Sequence, residues 1–264
     1  MRACSLAKRG IAAALIALAL PAGAQTACRA ASEPLTRPLV ELYTSEGCDS
    51  CPPADRWLAE HFASPTAAPR GIALAFHVDY WDRLGWIDRF GSARNTERQR
   101  QAMRANGATF VYTPQVIVQG RDVPAWADRG VAAVEAAARK PARATLEIGA
   151  TTDPAQAIDV KAEAAIVDPA LRRDAALFVA YVDSGLVSEV GAGENRGVRL
   201  RHEHVVRDLQ RIGPPDAQGR IAGRAHFARP REPGASPMLV AFVQRGADGD
   251  VLQTVALPLD SCGF

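Results

Sequence analysis

The chain has 264 residues, of which 31 are basic and 29 acidic, so its formal net charge is +2 with neutral histidines. Both signs are scattered along the sequence without blocks, which argues against a protein that binds nucleic acid or an anionic membrane surface. The sequence contains no repeat of fixed period, so a solenoid or propeller is not indicated.

The N-terminus has the pattern of an export signal. A basic opening with Arg2 and Lys8 precedes an apolar segment over residues 11–20, and small residues at 22–24 form a cleavage site. The apolar segment is shorter than the roughly 20 residues that a membrane-spanning helix needs, and no later segment reaches that length. We therefore predict a signal peptide over residues 1–24 and a soluble, exported, periplasmic protein without a membrane span.

Cleavage three residues later is the alternative. It would leave Cys28 at the new N-terminus as a candidate lipid attachment site. Gln25 stands where lipoprotein signals favour an aliphatic residue, so we rank this anchor second to the soluble form.

The N-terminal half alternates strand and helix signals. In chain order, the predicted elements are a strand over 39–43, a helix over 52–62, a strand over 72–79, a polar helix over 92–106, a strand over 116–118 and a helix over 124–139. The run 72–76 is continuously apolar, which is typical of a central strand buried on both faces. Because the polar helix has few apolar positions, we predict that it lies in an exposed insertion over 80–107.

The hydrophobic pattern changes beyond residue 143, where short apolar or alternating runs are separated by Gly, Pro and Asp. These runs cover residues 145–148, 158–162, 176–182, 198–206, 220–227, 238–243 and 251–257. The pattern predicts an all-β sandwich over 143–262. Without the signal the chain still exceeds the usual domain size of about 100 to 150 residues, which agrees with two domains.

Cys48 and Cys51 stand two residues apart where the first predicted strand gives way to the first helix. A thiol at a helix N-terminus feels the positive end of the helix dipole, which stabilises the reactive thiolate. We therefore predict that Cys48 attacks and that Cys51, deeper in the turn, resolves the mixed disulfide. Glu46 and Asp49 place negative charge beside Cys48, so the fall in the pKa of Cys48 should be modest and the dithiol less oxidising than one with a basic residue between its cysteines.

Other roles for these thiols stay open. The pair could form an inert structural disulfide, or it could bind copper or zinc together with His77 or with His202 and His204, since thiolate and imidazole suit both metals. Cys28 and Cys262 lie near the two ends of the mature chain, and chain ends often meet, so they are candidates for a structural disulfide. The alternatives for Cys28 are an incidental free thiol or the lipid anchor.

The strand, the Cys-x-x-Cys-Pro helix start and the later Thr-Pro resemble the thioredoxin superfamily over about residues 38–139. A closer resemblance is to a bacterial family of exported thioredoxin-like proteins of unknown function. It is carried by LYTSEGCDSCPPAD at 42–55, HVDYWD at 77–82, LGW at 84–86, YTPQ at 112–115 and NRG at 195–197.

The resemblance implies a fold and site residues. The fold would be an α/β thioredoxin-like domain over 36–141, with the insertion 80–107, followed by the all-β sandwich. Cys48 would be the nucleophile and Cys51 the resolving thiol. Pro114 would be a cis-proline facing the dithiol, with Thr113 before it presenting its backbone to an extended peptide.

The insertion concentrates aromatic residues beyond the end of a predicted strand, where ligands bind in open α/β sheets. Tyr80, Trp81 and Trp86 are therefore candidate substrate contacts, and local packing beneath a long loop is the alternative.

The function that these features predict is thiol–disulfide exchange with cysteines of proteins or peptides. No cofactor, metal or nucleic acid is implied, and the oligomeric state and the direction of exchange are left open. The alternative is a non-catalytic binding or adaptor protein whose disulfide is inert.

Overall fold

The computed structural model describes residues 28–62, 71–152, 157–228, 232 and 234–262, so the predicted signal peptide lies outside the described residues. Within them the chain forms three α-helices and fourteen strands. The helices are α1 Pro52–Phe62, α2 Ala93–Ala105 and α3 Trp126–Ala138. The strands are β1 Cys28–Ala31, β2 Leu39–Thr44, β3 Ile72–His77, β4 Gln115–Val118, β5 Arg121–Asp122, β6 Thr145–Thr152, β7 Ile158–Ala165, β8 Ala175–Ser184, β9 Leu186–Glu189, β10 Arg199–His202, β11 Val205–Gly213, β12 Arg220–Phe227, β13 Ser236–Arg245 and β14 Val251–Pro258. None of the described helices is both long and apolar enough to cross a membrane.

The first two long strands, β2 and β3, run parallel and are joined by α1. Every residue of both strands is buried, which explains their nearly continuous apolar sequence. Helix α1 covers one face of this pair with Trp57, Leu58 and Phe62, and Val134 of α3 belongs to the same cluster. A Cβ atom on Gly130 would lie 2.5 Å from the Trp57 ring, so glycine allows α3 to approach α1 closely.

One sheet of eight strands runs through both halves of the chain, in the order β14-β13-β8-β11-β3-β2-β4-β5. Strand β11 from the C-terminal half pairs with β3 at Val205 and Ala75, and β8, β13 and β14 extend the sheet from there. The prediction of an α/β thioredoxin-like domain followed by an all-β sandwich is therefore wrong. The chain is mostly β, and its parallel pair is the centre of a large mixed sheet, because strands far along the sequence supply hydrogen bonds to the free edge of β3.

A second sheet, in the order β1-β6-β7-β12, packs face to face against the C-terminal part of the large sheet. Strand β7 alternates buried and exposed residues, as expected when one face meets a core and the other meets water. Its inward residues Ile158 and Val160 share a core with Leu177, Leu239 and other apolar residues of β8 and β13. The first described strand, β1, pairs with β6, so the N-terminus of the described chain belongs to this sandwich.

The segment predicted as one strand over 198–206 is two strands in the structure. Strand β10 pairs with β9 in a small hairpin, and β11 joins the large sheet. Between them His204 has a φ of 59°, a left-handed conformation that turns the chain from one sheet to the other.

Helix α2 is polar and exposed along one side, as its composition predicted, but its other side is not exposed. Asn95, Thr96 and Gln99 are buried. Gln99 donates to the backbone oxygen of Tyr112 and to Gln115, and Arg98 forms a buried ion pair with Glu41 of β2. The helix therefore binds the sheet through hydrogen bonds and charge, which an apolar stripe cannot reveal.

Candidate functional site

Cys48 and Cys51 form a disulfide in the turn between β2 and α1. Their Cα atoms are 5.4 Å apart. The Cys51 nitrogen donates to the Cys48 oxygen at 3.3 Å, and the Cys51 oxygen accepts from the nitrogen of Asp55 at 3.1 Å, so Cys51 opens the hydrogen-bond ladder of α1. The disulfide thus lies at the helix N-terminus and at the carboxyl end of the two parallel strands, where open sheets bind ligands.

Both cysteines are completely buried, with 0% of each exposed. Asp49 and Ser50 between them are exposed, and the Ser50 hydroxyl lies 3.4 Å from the Cys48 sulfur. The sequence predicted that Cys51 would be the more buried thiol. The structure buries both equally, because a segment from the C-terminal half covers the turn.

That segment is the β9–β10 connection at residues 190–198, which we call the cover loop. Asn195 is buried, and its side-chain amide donates to the backbone oxygens of Glu46 and Cys48, at 2.9 Å in both cases. The Asp49 nitrogen donates to the carboxylate of Glu194 at 3.1 Å. The cover loop therefore binds the turn on both sides of Cys48.

Sequence reasoning assigned no role to Asn195, although it lies in one of the motifs that carried the resemblance. Asn195 and Cys48 are 147 positions apart, so no local pattern connects them. The sequence offered only the Asn-Arg-Gly motif, which is typical of a turn. The structure confirms a turn there, with a φ of 81° at Gly197.

The peptide bond between Thr113 and Pro114 is cis and immediately precedes β4. Strand β4 pairs with β2 so that Gln115 lies opposite Tyr43, which brings the cis bond to the same end of the sheet as the disulfide. The indole of Trp81 donates to the Thr113 hydroxyl at 2.8 Å.

The three candidate aromatic contacts are half-buried, and each polar atom has a partner inside the protein. Trp81 bonds to Thr113 and also packs beside Gly47, where an added Cβ would lie 3.1 Å from it. The Trp86 indole donates to the Glu46 carboxylate at 2.7 Å. The Tyr80 hydroxyl donates to Gln99 at 3.2 Å. The contacts of Trp81 and Trp86 attach the insertion to Thr113 and to the disulfide turn, and the contact of Tyr80 joins the start of the insertion to α2 within it.

Four buried ionisable residues and the half-buried Asp55, which we together call the histidine cluster, lie beside the disulfide turn: Glu46, Asp55, His77, Asp88 and His202. His77 Nδ1 lies 2.7 Å from an Asp88 oxygen, and His202 Nε2 lies 3.0 Å from a Glu46 oxygen. The same Asp88 oxygen accepts from the Glu46 nitrogen at 2.9 Å. Glu46, two positions before Cys48, thus joins the two histidine–carboxylate pairs, through its backbone nitrogen to Asp88 and through its carboxylate to His202.

Charge pairing opposes the effect of burial in this cluster. Burial favours the neutral form of Asp88, but His77 and backbone hydrogen bonds outweigh it and lower the pKa of Asp88 to about 2. Burial disfavours a charged His77, yet the Asp88 carboxylate raises the pKa of His77 overall. Burial would raise the pKa of Glu46, and the hydrogen bond from His202 reverses this to a net lowering. Asp55 differs, because burial prevails and raises its pKa.

The structure separates the candidate metal ligands. His77 and His202 are in contact, with ring centroids 5.0 Å apart, whereas His204 lies beyond β10 and its backbone nitrogen donates to the Ser184 hydroxyl. Cys48 and Cys51 are bonded to each other. Among the described residues, no three His, Cys, Asp or Glu side chains are arranged to hold a metal ion.

Cys28 and Cys262 form the second disulfide, with Cα atoms 5.5 Å apart. It joins β1 to the segment after β14 at the edge of the sandwich core, far from Cys48 in the topology.

No curated protein matches this chain. The crystal structure of a protein from Agrobacterium tumefaciens is similar over 86% of this chain and 96% of that chain, with 26% identity and a TM-score of 0.62. HBP35 of Porphyromonas gingivalis is similar over 87% of this chain and 77% of that chain, with a TM-score of 0.61; at 13% identity this likeness concerns the fold alone. A family model described as a protein of unknown function, DUF1223, matches residues 39–244, and the chain belongs to this family.

Proposed function

We propose that this protein is an exported thiol–disulfide oxidoreductase that exchanges with cysteines of proteins or peptides through Cys48 and Cys51. One observation carries the proposal: the Cys48–Cys51 disulfide lies at the N-terminus of α1 and at the same sheet end as the cis Thr113–Pro114 bond. The helix dipole and unpaired backbone N–H groups favour a thiolate at this position.

The surroundings of Glu46 remove one objection to a reactive Cys48. By sequence, the Glu46 carboxylate would oppose a thiolate two residues away. In the fold the Glu46 carboxylate accepts from the Trp86 indole and pairs with His202. These two partners weaken the repulsion between the carboxylate and a thiolate at Cys48. The carboxylate of Asp49 remains on the exposed side of the turn.

Exchange takes two displacement steps. A partner thiolate attacks the Cys48 sulfur, the Cys48–Cys51 bond breaks, and Cys51 leaves as a thiolate that takes up a proton. A second partner thiolate then attacks the partner sulfur of the mixed disulfide, which releases an oxidised partner and the Cys48 thiolate. The reverse sequence reduces a partner disulfide by the same bonds.

Export is part of the proposal. It is supported by the basic and apolar pattern over residues 1–24 and by two disulfides in one chain, since disulfides persist in oxidising compartments.

The test is a redox titration of the purified protein in glutathione buffers of graded potential, with free thiols counted by alkylation and mass spectrometry for each cysteine. An exchange enzyme should show a reversible transition at Cys48 and Cys51 between about −120 and −270 mV. A disulfide that stays closed below about −300 mV would mean a structural bridge and would overturn the proposal.

Two variants make the titration specific. Cys51→Ser lacks the resolving thiol and should accumulate a glutathione mixed disulfide at Cys48. Cys48→Ser leaves Cys51, the proposed resolving thiol, as the only thiol of the turn and should accumulate much less. Equal labelling of the two variants would contradict the assigned order of attack.

A second candidate function is a binding or adaptor protein with an inert disulfide. It is favoured by the burial of both cysteines, because exchange needs access to a sulfur atom. The two candidates differ in the rate at which a small thiol reduces the folded protein, which is fast only if the cover loop opens.

A further inference from the structure

A cleft of about 350 Å³ lies between α2 and the face of the large sheet against which the helix packs. We call it the α2 cleft. Its lining comes from α2, from β2, β8 and β11 of the sheet, and from the hairpin that joins β13 to β14. Ligand sites in proteins commonly have volumes of about 300 to 1,000 Å³, so the α2 cleft is large enough for a small molecule.

The α2 cleft lies away from the disulfide. Helix α2 begins beside the carboxyl end of β3, where the Ser92 nitrogen donates to the His77 oxygen. It ends towards the opposite end of the sheet, where the Asn106 side chain donates to the Gly120 oxygen. The helix residues that line the cleft lie from Arg98 onward. An occupant would therefore leave the disulfide turn untouched, and this inference does not rest on the proposed function.

Small side chains explain the shape of the cleft. Ala102 and Ala105 follow Arg98 at helical spacing, so the three share one face of α2. Across the cleft, Ala176 and Phe178 point to one face of the sheet, because side chains two positions apart on a strand lie on the same side. A larger side chain in place of any of the three alanines would fill part of the space.

Phe178 gives the cleft an aromatic surface. Its ring stacks on that of Phe242, with centroids 5.3 Å apart and an angle of 14° between the ring planes. Phe178 is only half-buried, so part of its ring is accessible from the cleft. Because aromatic pairs gain interaction energy in addition to the burial of apolar surface, an aromatic occupant suits this side of the cleft.

The carboxylates of the lining are already paired. The Arg98 guanidinium donates to the buried Glu41 carboxylate and, at 3.0 Å, to the side-chain oxygen of Gln244. Asp174, a second carboxylate of the lining, lies 3.6 Å from the Arg173 guanidinium. These cations weaken the repulsion that the two carboxylates would exert on a negatively charged occupant.

Arg211 supplies a cation that can bind such an occupant. It lies directly opposite Phe178 in the β8–β11 pair, so the two side chains stand beside each other on one face of the sheet. Within the described ranges, no hydrogen bond or ion pair engages the Arg211 side chain. Arg245, which also lines the cleft, is held by Asp248 at 3.3 Å. Arg211 therefore gains an anion without losing an existing partner.

The distribution of charge favours a carboxylate over a phosphate. The planar guanidinium of one arginine matches one carboxylate with two parallel hydrogen bonds. Phosphate sites commonly use the N-terminus of a helix, where backbone N–H groups and the dipole favour negative charge. The α2 cleft lies instead along the C-terminal half of its helix, where the dipole is negative, so a dianion is disfavoured more than a single charge.

We propose that the α2 cleft binds a small aromatic carboxylate. The ring of the ligand lies between the α2 alanines and the Phe178 ring, and its carboxylate accepts two hydrogen bonds from the Arg211 guanidinium. Binding is reversible and makes no covalent bond. The site requires an aromatic ring and a single negative charge in the same molecule.

The test is an NMR titration of the purified protein with 2-naphthoate, followed through the backbone amide signals. We expect saturable shifts at Ala102, Phe178 and Arg211, with a dissociation constant of about 1 mM or lower. Signals of Asp49 and Ser50 in the disulfide turn should not move. The absence of saturable shifts, or shifts at the disulfide turn alone, would overturn the proposal.

Two analogues separate the contributions of charge and ring. The alcohol 2-naphthylmethanol keeps the ring but has no charge, and it should bind about tenfold more weakly. Decahydronaphthalene-2-carboxylate keeps the charge and the size but is not aromatic, and it should bind about fivefold more weakly. If either analogue binds as tightly as 2-naphthoate, the proposed recognition is wrong.

A pair of arginine variants tests the cation. Arg211→Gln should weaken binding of 2-naphthoate about tenfold, and because Arg211 is exposed the fold should persist. Arg224→Gln is the matched control, since Arg224 is an exposed arginine on β12 of the second sheet. It should leave the affinity unchanged. Equal weakening in both variants would mean general attraction to a basic surface and would contradict the site.

A filling variant tests the position of the ring. Ala102→Leu places a larger side chain in the cleft and should weaken binding of 2-naphthoate about tenfold or more. Amide signals outside α2 and its neighbouring strands should stay in place, which shows that the fold is kept. Unchanged affinity in this folded variant would contradict the placement of the ring beside α2.

Discussion

The two disulfides of this protein close very different loops in very different surroundings. Cys48–Cys51 spans a sequence separation of 3, is fully buried and adjoins a cluster of ionisable side chains. Cys28–Cys262 spans a separation of 234 and packs, half-buried, against an apolar core.

Loop length and surroundings indicate different tasks for the two bonds. A bridge restricts the unfolded chain more as its loop lengthens, by about 5 kcal/mol for a loop of several hundred residues and about 2 kcal/mol for the shortest. The long bridge therefore has the larger effect on stability. The short bridge contributes less to stability and lies among groups that can hold charge and protons.

The largest expected difference between the two bridges appears when one thiol is removed from each. We expect Cys48→Ser to abolish the reversible transition in glutathione buffers and Cys28→Ser to leave its midpoint unchanged. The measurement is alkylation followed by mass spectrometry across the potential series. If Cys28→Ser removes the transition at Cys48, the two bridges are coupled and the division of tasks fails.

Loss of one thiol from each bridge should have the opposite order of effects on stability. Cys28→Ser should lower the free energy of unfolding by about 3 to 5 kcal/mol, because it frees a loop that spans nearly the whole described chain. Cys51→Ser should lower it by about 2 kcal/mol. Denaturant unfolding of both variants beside the wild type measures the difference, and equal losses would contradict the loop-length argument.

The pH dependence of stability sharpens the contrast around the short bridge. Asp88 has a pKa of about 2 against an ordinary value of 3.8, so its pair with His77 stabilises the fold above about pH 4 and is lost as pH falls towards 2. The raised pKa of His77 gives the matching limit, since that stabilisation is complete below about pH 6.5 and is lost as pH rises through the folded value.

Asp88→Asn should therefore lose about 2 kcal/mol of stability near pH 5 and should show a flatter acid limb. Denaturant midpoints between about pH 5 and pH 2 measure this. Asp159→Asn, which removes the exposed partner of His226, is the matched control and should change little. A similar loss in both variants would assign the effect to surface charge.

The smallest expected effect concerns the cover loop. Asn195→Ala removes two hydrogen bonds to the disulfide turn, each contributing about 1 kcal/mol. The loop should open more often, and since about 2 kcal/mol corresponds to a factor of about 30, a water-soluble phosphine should reduce Cys48–Cys51 up to about thirtyfold faster. Stopped reactions analysed by alkylation give the rate.

Asn106 provides a matched control for that variant. Its side-chain amide also donates to two backbone oxygens, those of Ala102 and Gly120, but it ends α2 away from the disulfide turn. Because the Asn106 side chain also accepts from the Asp122 nitrogen, Asn106→Ala should destabilise the protein at least as much, without faster reduction. Equal acceleration in both variants would show that reduction follows general loosening and not the cover loop.

Local sequence predicted much of the first half of the chain. The apolar run before Cys48 is β2, and the prolines after Cys51 begin α1 within the predicted bounds. The later alternating runs are strands, as β7 illustrates. These predictions rest on neighbours in sequence, where side-chain period and turn residues act over a few positions.

The partnerships at the site had no such signal. Helix α2 was predicted as exposed because apolar residues are sparse in it, yet one of its faces is held against the sheet by the hydrogen bonds of Gln99 and the ion pair of Arg98. His202 meets Glu46 across 156 positions, and Asn195 meets Cys48 across 147. Contacts at such separations leave no period in either segment.

The sequence by itself determined where the dithiol stands, which helix begins beside it and where most of the longer strands lie, because each depends on residues within one or two turns. Only the tertiary structure decided that β11, β8, β13 and β14 continue the sheet from β3, that Cys28 meets Cys262 and that the cover loop and His202 enclose the dithiol. Those outcomes depend on which strands pair at a free sheet edge and which side chains pair with a buried charge. Both kinds of pairing form only when segments distant in sequence pack together.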